Sequence, residues 1–191
     1  MKKVSLVLAA AAAWFSMAAH AEVLDLNLGH NSFRGDFSGA LSRFLPGTVG
    51  QYDIGVVERP RSSEHLTQAH GGLLVTGDAG LRDINLTAGL GGRLLYVNRE
   101  GDNGGALALG GQLNARLPQI DRVGLNFSSY YAPGVTSFGR LDRYWENAID
   151  VEYELIRDGG VYAGYRNIRQ DIGSFSGSVD NGFHLGFRLK F

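Results

Sequence analysis

Phe183-His184-Leu185-Gly186-Phe187-Arg188-Leu189-Lys190-Phe191 is the stretch that decides the fold. Phe183, Leu185, Phe187, Leu189 and Phe191 fall at every second position, and His, Gly, Arg and Lys fill the gaps. Successive side chains of an extended chain point to opposite faces, so this is a strand with one apolar face. A soluble sheet can use such a strand at its edge. A transmembrane barrel requires one, because its last strand pairs with its first and leaves no edge exposed to lipid. A terminal strand ending on Phe also resembles the signal read by the barrel assembly machinery. The expected partners are therefore that machinery, periplasmic chaperones during biogenesis, and outer-membrane lipid.

The other end of the sequence points the same way. Lys2 and Lys3 precede an apolar run over residues 4–15, and Ala19-His20-Ala21 follows as an A-x-A cleavage site. This pattern predicts a cleaved secretory signal peptide over residues 1–21, with cleavage set by Ala19 and Ala21. A single barrel domain is then expected over residues 22–191, located in the outer membrane. The signal holds two of the 18 basic residues and none of the 19 acidic ones, so residues 22–191 carry a formal charge of −3 (16 against 19). A chain of that sign is not expected to bind nucleic acid.

There is no cysteine, so neither disulfides nor thiol chemistry are available, and Lys190 is the one lysine beyond the signal. Beyond the signal no apolar run reaches the length of a membrane helix. Alternating strands dilute hydropathy, which agrees with a mean hydropathy of −0.09. Glycine is abundant, at 28 of 191 residues. Glycine weakens strands and helices but suits the crowded inward positions of a small barrel.

Period-2 segments cover residues 23–28, 33–44, 51–57, 69–77, 82–97, 105–117, 122–132, 142–156 and 161–169, and a tenth closes the chain after residue 181. The predicted fold is all-β: a closed antiparallel transmembrane β-barrel of ten strands with both termini periplasmic. Eight strands is the alternative, if residues 23–28 and 33–44 form one bent strand. The connections over residues 58–68, 98–104, 133–141 and 170–181 are expected to be long external loops, and those between them short turns. Tyr96, Tyr130, Tyr131, Tyr144, Trp145 and Tyr165 are expected at the external interface. Tyr52, Tyr153 and Phe191 are expected at the periplasmic one.

The chain resembles the YfaZ-type outer-membrane proteins of Gram-negative bacteria. The likeness rests on Gly89-Leu90-Gly91-Gly92-Arg93-Leu94-Leu95-Tyr96, residues 104–111, Tyr130-Tyr131-Ala132-Pro133-Gly134-Val135-Thr136-Ser137-Phe138, Tyr162-Ala163-Gly164-Tyr165-Arg166 and residues 180–191. These are strand and loop patterns. The resemblance implies a small outer-membrane barrel and no particular activity.

Candidate chemistry is sparse. His30-Asn31-Ser32 places a nucleophile and a base at an external strand end, the one hint of a lipid-modifying enzyme. A polar hairpin tip explains the same residues. His65 and His70 are five apart, poor spacing for a metal. No P-loop or complete dinucleotide fingerprint is present, so no cofactor is expected. Strand parity turns Asp53, Arg93, Arg116, Asp150, Glu152, Glu154, Arg166 and Arg188 inward, with Arg166 expected to reach Asp150 or Glu152. Glu152 and Glu154 are close enough along one strand to share a proton, but ion pairing within the barrel is the favoured reading. Small barrels are filled by side chains, whereas open channels have many more strands. The sequence therefore favours a structural or loop-interaction role with a narrow or plugged lumen. A narrow porin-like channel for small solutes is the alternative, and a lipid hydrolase the third reading.

Overall fold

Ten long strands close on themselves in the computed structural model, which describes residues 22–60, 65–79 and 84–191. The expected signal peptide, with Ala19 and Ala21, lies outside the described residues. The strands are β1 (Val23–Gly29), β2 (Phe33–Ala40), β3 (Gln51–Arg59), β4 (Leu66–Asp78), β5 (Asn85–Arg99), β6 (Asp102–Arg116), β7 (Val123–Ala132), β9 (Leu141–Ile156), β10 (Gly159–Ile172) and β11 (Phe175–Lys190), with the short β8 (Ser137–Gly139) between β7 and β9. Every pairing is antiparallel, and β1–β11 and β5–β6 complete the ring. The three residues of β8 continue the ladder on β6 beyond the end of β7.

Residues 30–32 form a true hairpin, with the Gly29 amide donating to the Ser32 carbonyl at 2.8 Å. Strands β1 and β2 are therefore separate, and the count is ten rather than eight. Glu22 and Phe191 exchange two backbone hydrogen bonds of 3.0 Å at the seam. We call this the terminal end of the barrel, and the opposite end the hairpin end.

Two of the four expected long connections are replaced by strands that run on, while residues 133–140, with a 3-10 turn and β8, do connect β7 to β9. Residues 98–104 and 170–181, expected as loops, are hairpins closed by two-residue turns. Glu100 and Gly101 both have positive φ (50° and 95°), the signature of the type I′ turn that matches strand twist. Gly173, at φ 58°, opens the turn between β10 and β11. The longest connection at the terminal end is residues 41–50, which hold a 3-10 turn, Leu41–Arg43.

The polarity of the wall reverses partway along. Towards the terminal end the outer surface is apolar: Leu28, Ile54, Leu73, Val75, Leu90, Leu94, Leu109, Val151 and Leu185 are all exposed. Towards the hairpin end Asn103, Asp142, Arg143 and Arg169 are exposed on the outside, while Val97, Ala106, Ala132, Leu141, Ile168 and Ile172 are buried inside. In β10 the apolar parity switches from Val161, Ala163 and Tyr165 outward to Ile168 and Ile172 inward. The lower barrel is thus apolar outside and polar inside, and the upper barrel is the reverse.

Candidate functional site: the filled lumen

Among the described residues the strand parity gathers the ionisable side chains in the lumen, which is layered along the barrel axis. The uppermost layer is apolar, formed by Leu66, Val97, Ala106, Ala132, Leu141, Ile168, Ile172 and Val179. Phe175 packs against it, with the Arg99 guanidinium 3.3 Å above its ring centre.

A polar layer crosses the lumen beneath. Gln170 Nε2 donates to Gln68 Oε1 at 2.6 Å, and Gln68 Nε2 donates to the Tyr144 hydroxyl at 2.9 Å. Tyr144 in turn donates to Glu146. Arg34 binds Glu146 and Asp36 at 2.5 Å each. His70 Nε2 lies 3.2 Å from both Asp36 and Asp53, and Asp53 binds Arg93 at 2.9 Å. Arg93 approaches Glu146 at 3.8 Å and stacks 3.8 Å over Tyr130. Tyr130, Tyr144, Gln68, Gln170 and Glu146 are each 1% exposed. Charged groups this deep survive when paired; Arg34, Asp36, Asp53, Arg93 and Glu146 each have an opposite charge within 3.8 Å, although Asp53 and Arg93 keep buried atoms without a hydrogen bond.

The lowest layer surrounds a cavity of about 380 Å³. Arg188 bridges Asp25, at 2.7 Å, and Glu152. Arg116 binds Glu154 at 2.6 Å and lies 3.7 Å from Glu152. Arg166 binds Asp180 at 2.7 Å, and Asp150 Oδ1 lies 2.7 Å from His184 Nε2.

Glycine makes these pairs possible. Adjacent strands lie about 4.8 Å apart, so side chains two strands apart must reach across roughly 9–10 Å of wall. They meet where the middle strand has no side chain. Asp36 and His70 flank Gly55 in register, Asp53 and Arg93 flank Gly72, and Asp150 and His184 flank Gly164. Asn27 likewise donates to the Tyr162 hydroxyl at 3.0 Å across Gly186. A Cβ on Gly72 would lie 2.7 Å from Arg93 Cγ, and one on Gly164 would lie 2.9 Å from His184 Nε2.

All eight charged residues picked out by strand parity lie on the inward face, and Asp53–Arg93 and Arg188–Glu152 are direct pairs among them. One expectation about their partners needs correction. Arg166 pairs with Asp180 rather than Asp150 or Glu152, because Asp180 continues the inward alternation of His184 and Gly182 on the neighbouring strand, while Asp150 is held by His184. Glu152 and Glu154 are ion-paired inside the barrel, in line with the favoured reading of their spacing: Arg188 binds Glu152 and Arg116 binds Glu154. Tyr130 and Tyr144 are inside the lumen rather than at an interface, and His70 is buried rather than flanking a loop. Tyr96, Tyr131, Trp145 and Tyr165 do lie on the outer surface. At the terminal end Tyr52 packs against Phe37 and Phe44, with ring centres 6.2 and 5.3 Å away.

Sequence reasoning missed Arg34, Asp36, His70, Glu146, Gln68 and Gln170 as one network, and Asp180 as the separate partner of Arg166. Arg34 and Asp36 share the inward parity of β2, and that signal was available. Ser32 is also tied to the Arg166–Asp180 pair. Its hydroxyl donates to Asp180 at 2.9 Å and accepts from Arg166 at 3.3 Å.

Three comparisons with known proteins bear on this fold. A search of curated proteins finds no match. One similar solved structure is described as "NanC porin structure in rhombohedral crystal form"; it is 12% identical, has a TM-score of 0.43, and the match covers 91% of this chain and 100% of that one. A family model described as "YfaZ precursor" matches residues 59–191. That match spans more than half of the sequence, and the chain belongs to the YfaZ family.

Proposed function

We propose that the protein is a small integral outer-membrane β-barrel whose lumen is sealed to solutes. Residues 1–21 are its export signal, its terminal end faces the periplasm and its hairpin end faces outward. It serves the envelope through its structure and its outward surface. One observation carries the reading: a continuous cross-section of side chains, from Gln170 and Gln68 through Tyr144, Glu146 and Arg34 to Arg93 and Tyr130, fills the barrel. The apolar lower wall supports insertion in lipid. A spanning strand needs about 9–11 residues, and β5, β6, β9 and β11 have 15, 15, 16 and 16. The surplus projects at the hairpin end, where the outer residues turn polar.

The porin-like channel is the second reading, favoured by the polar cavity in the lower lumen. It would require the middle layer to part. A lipid-modifying enzyme at His30 and Ser32 finds no such support, because the Ser32 hydroxyl donates to Asp180.

The absence of cysteine gives a clean test. Ser176→Cys lies in the outward hairpin and Asn114→Cys at the mouth of the lower cavity. A bulky polyethylene-glycol maleimide should label Ser176→Cys on intact cells and Asn114→Cys only after the outer membrane is disrupted. Equal labelling of Asn114→Cys on intact cells would contradict both the orientation and the seal.

A further inference from the structure

The cavity in the lower lumen is a blind cup. Above it lies the packed network, and around its open side lie Arg116, Glu154 and Lys190, which are the partly exposed members of the lower layer. Its volume of about 380 Å³ falls near the lower end of the ~300–1,000 Å³ of small-molecule sites. Filled with solvent it would hold about a dozen waters, at about 30 Å³ each.

The lining is selective in its chemistry. Every cation on it already has a carboxylate: Arg34, Arg93, Arg116, Arg166, Arg188 and Lys190 each lie within 3.9 Å of an Asp or Glu. A charged ligand would have to break one of these pairs. The neutral groups are different. Ser38, Gln51, Asn114 and Ser128 line the cup and make no side-chain hydrogen bond among the described residues. Asn27 is 1% exposed, and its Oδ1 is buried without a partner, as is His184 Nδ1. A buried polar atom left unpaired costs about 1–3 kcal/mol, so both atoms would gain from a hydrogen-bonding group that enters the cavity, as would the unbonded atoms of Asp53 and Arg93 on its floor. β1, which carries Asn27, and β6 and β7, which carry Asn114 and Ser128, stand on opposite sides of the ring.

We propose that this cup binds a neutral polyhydroxylated solute of monosaccharide size, entering from the terminal end. Hydroxyl groups both donate and accept, so one such molecule can satisfy Asn27 Oδ1 on one wall and the Asn114 and Ser128 side chains on the other. The ion pairs stay closed and act as rigid walls. The orientation of entry rests on the outer-membrane reading above; the binding itself does not. Binding and conduction are read by separate experiments, so either can fail alone.

The test is saturation-transfer NMR on the folded barrel in lauryldimethylamine oxide micelles, which contain no sugar. The probes are D-glucose, with D-glucuronate and D-glucosamine as charged comparators. Glucose should receive saturation, and both charged sugars should receive less. The double variant Asn114→Leu/Ser128→Val, verified as folded by its heat-modifiable migration, should weaken glucose binding about tenfold, as two lost hydrogen bonds predict. No transfer to glucose in the wild type would overturn the proposal. So would equal transfer in the double variant, or stronger transfer to either charged sugar.

Discussion

Gly164 sits between Asp150 and His184 and is the residue whose lack of a side chain lets them meet. Glycine normally weakens a strand, and replacing it with alanine is expected to gain about 0.5–1 kcal/mol. Here the sign should reverse. A methyl group would intrude on both partners, and separating a buried charge-assisted hydrogen bond costs about 1.5–3 kcal/mol. Gly164→Ala should therefore destabilise the folded barrel by about 1–2 kcal/mol, measured by urea unfolding with Trp145 fluorescence. Trp145 is the single tryptophan of residues 22–191. A neutral or stabilising Ala would mean that the pair across the glycine contributes nothing. Parity in the sequence was enough to send Asp150 and Arg166 inward. It was not enough to pair them, because pairing runs across a third strand and depends on register. Asp180 continues the inward alternation of His184 and Gly182, but it falls in a stretch read as a loop, so its parity was not used.

Strand β11 shows what was legible in an element and what was not. Its lower half alternates Phe183, Leu185 and Phe187 against His184, Gly186 and Arg188, and reads at once as a barrel strand. Its upper half carries Ser176 and Ser178 outside and Val179 inside, so the apolar parity is inverted. A search for one apolar face stops at that inversion and reads a Gly- and Ser-rich loop. The same inversion hid the upper ends of β5, β6 and β10, and with them the apolar layer that caps the lumen. The proposed outer-membrane setting gives the reversal a physical cause: an outer surface that is apolar against lipid and polar against water, with the packed interior compensating. Arginine substitutions should map the boundary. Leu185→Arg, in the apolar band, should cost about 2–4 kcal/mol. Ser176→Arg, on the projecting hairpin, should stay within about 0.5 kcal/mol. Both are measured by urea unfolding from lipid vesicles. Equal costs would place the boundary elsewhere.

At the scale of the molecule, a ring of ten strands is narrow enough for side chains to fill it, and this chain fills it twice, once with apolar groups and once with ion pairs. Removing one partner of a buried ion pair costs about 3–5 kcal/mol, so the proposed seal holds if the several pairs of the middle layer stay closed together. The lower cavity ends against that layer. The most direct measurement is single-channel conductance of the folded residues 22–191 in a planar bilayer, with insertion verified independently. The sealed barrel predicts a silent membrane. Discrete, reproducible steps that change on substitution of Arg93 or Glu146 would show an open path through the lumen and contradict the account.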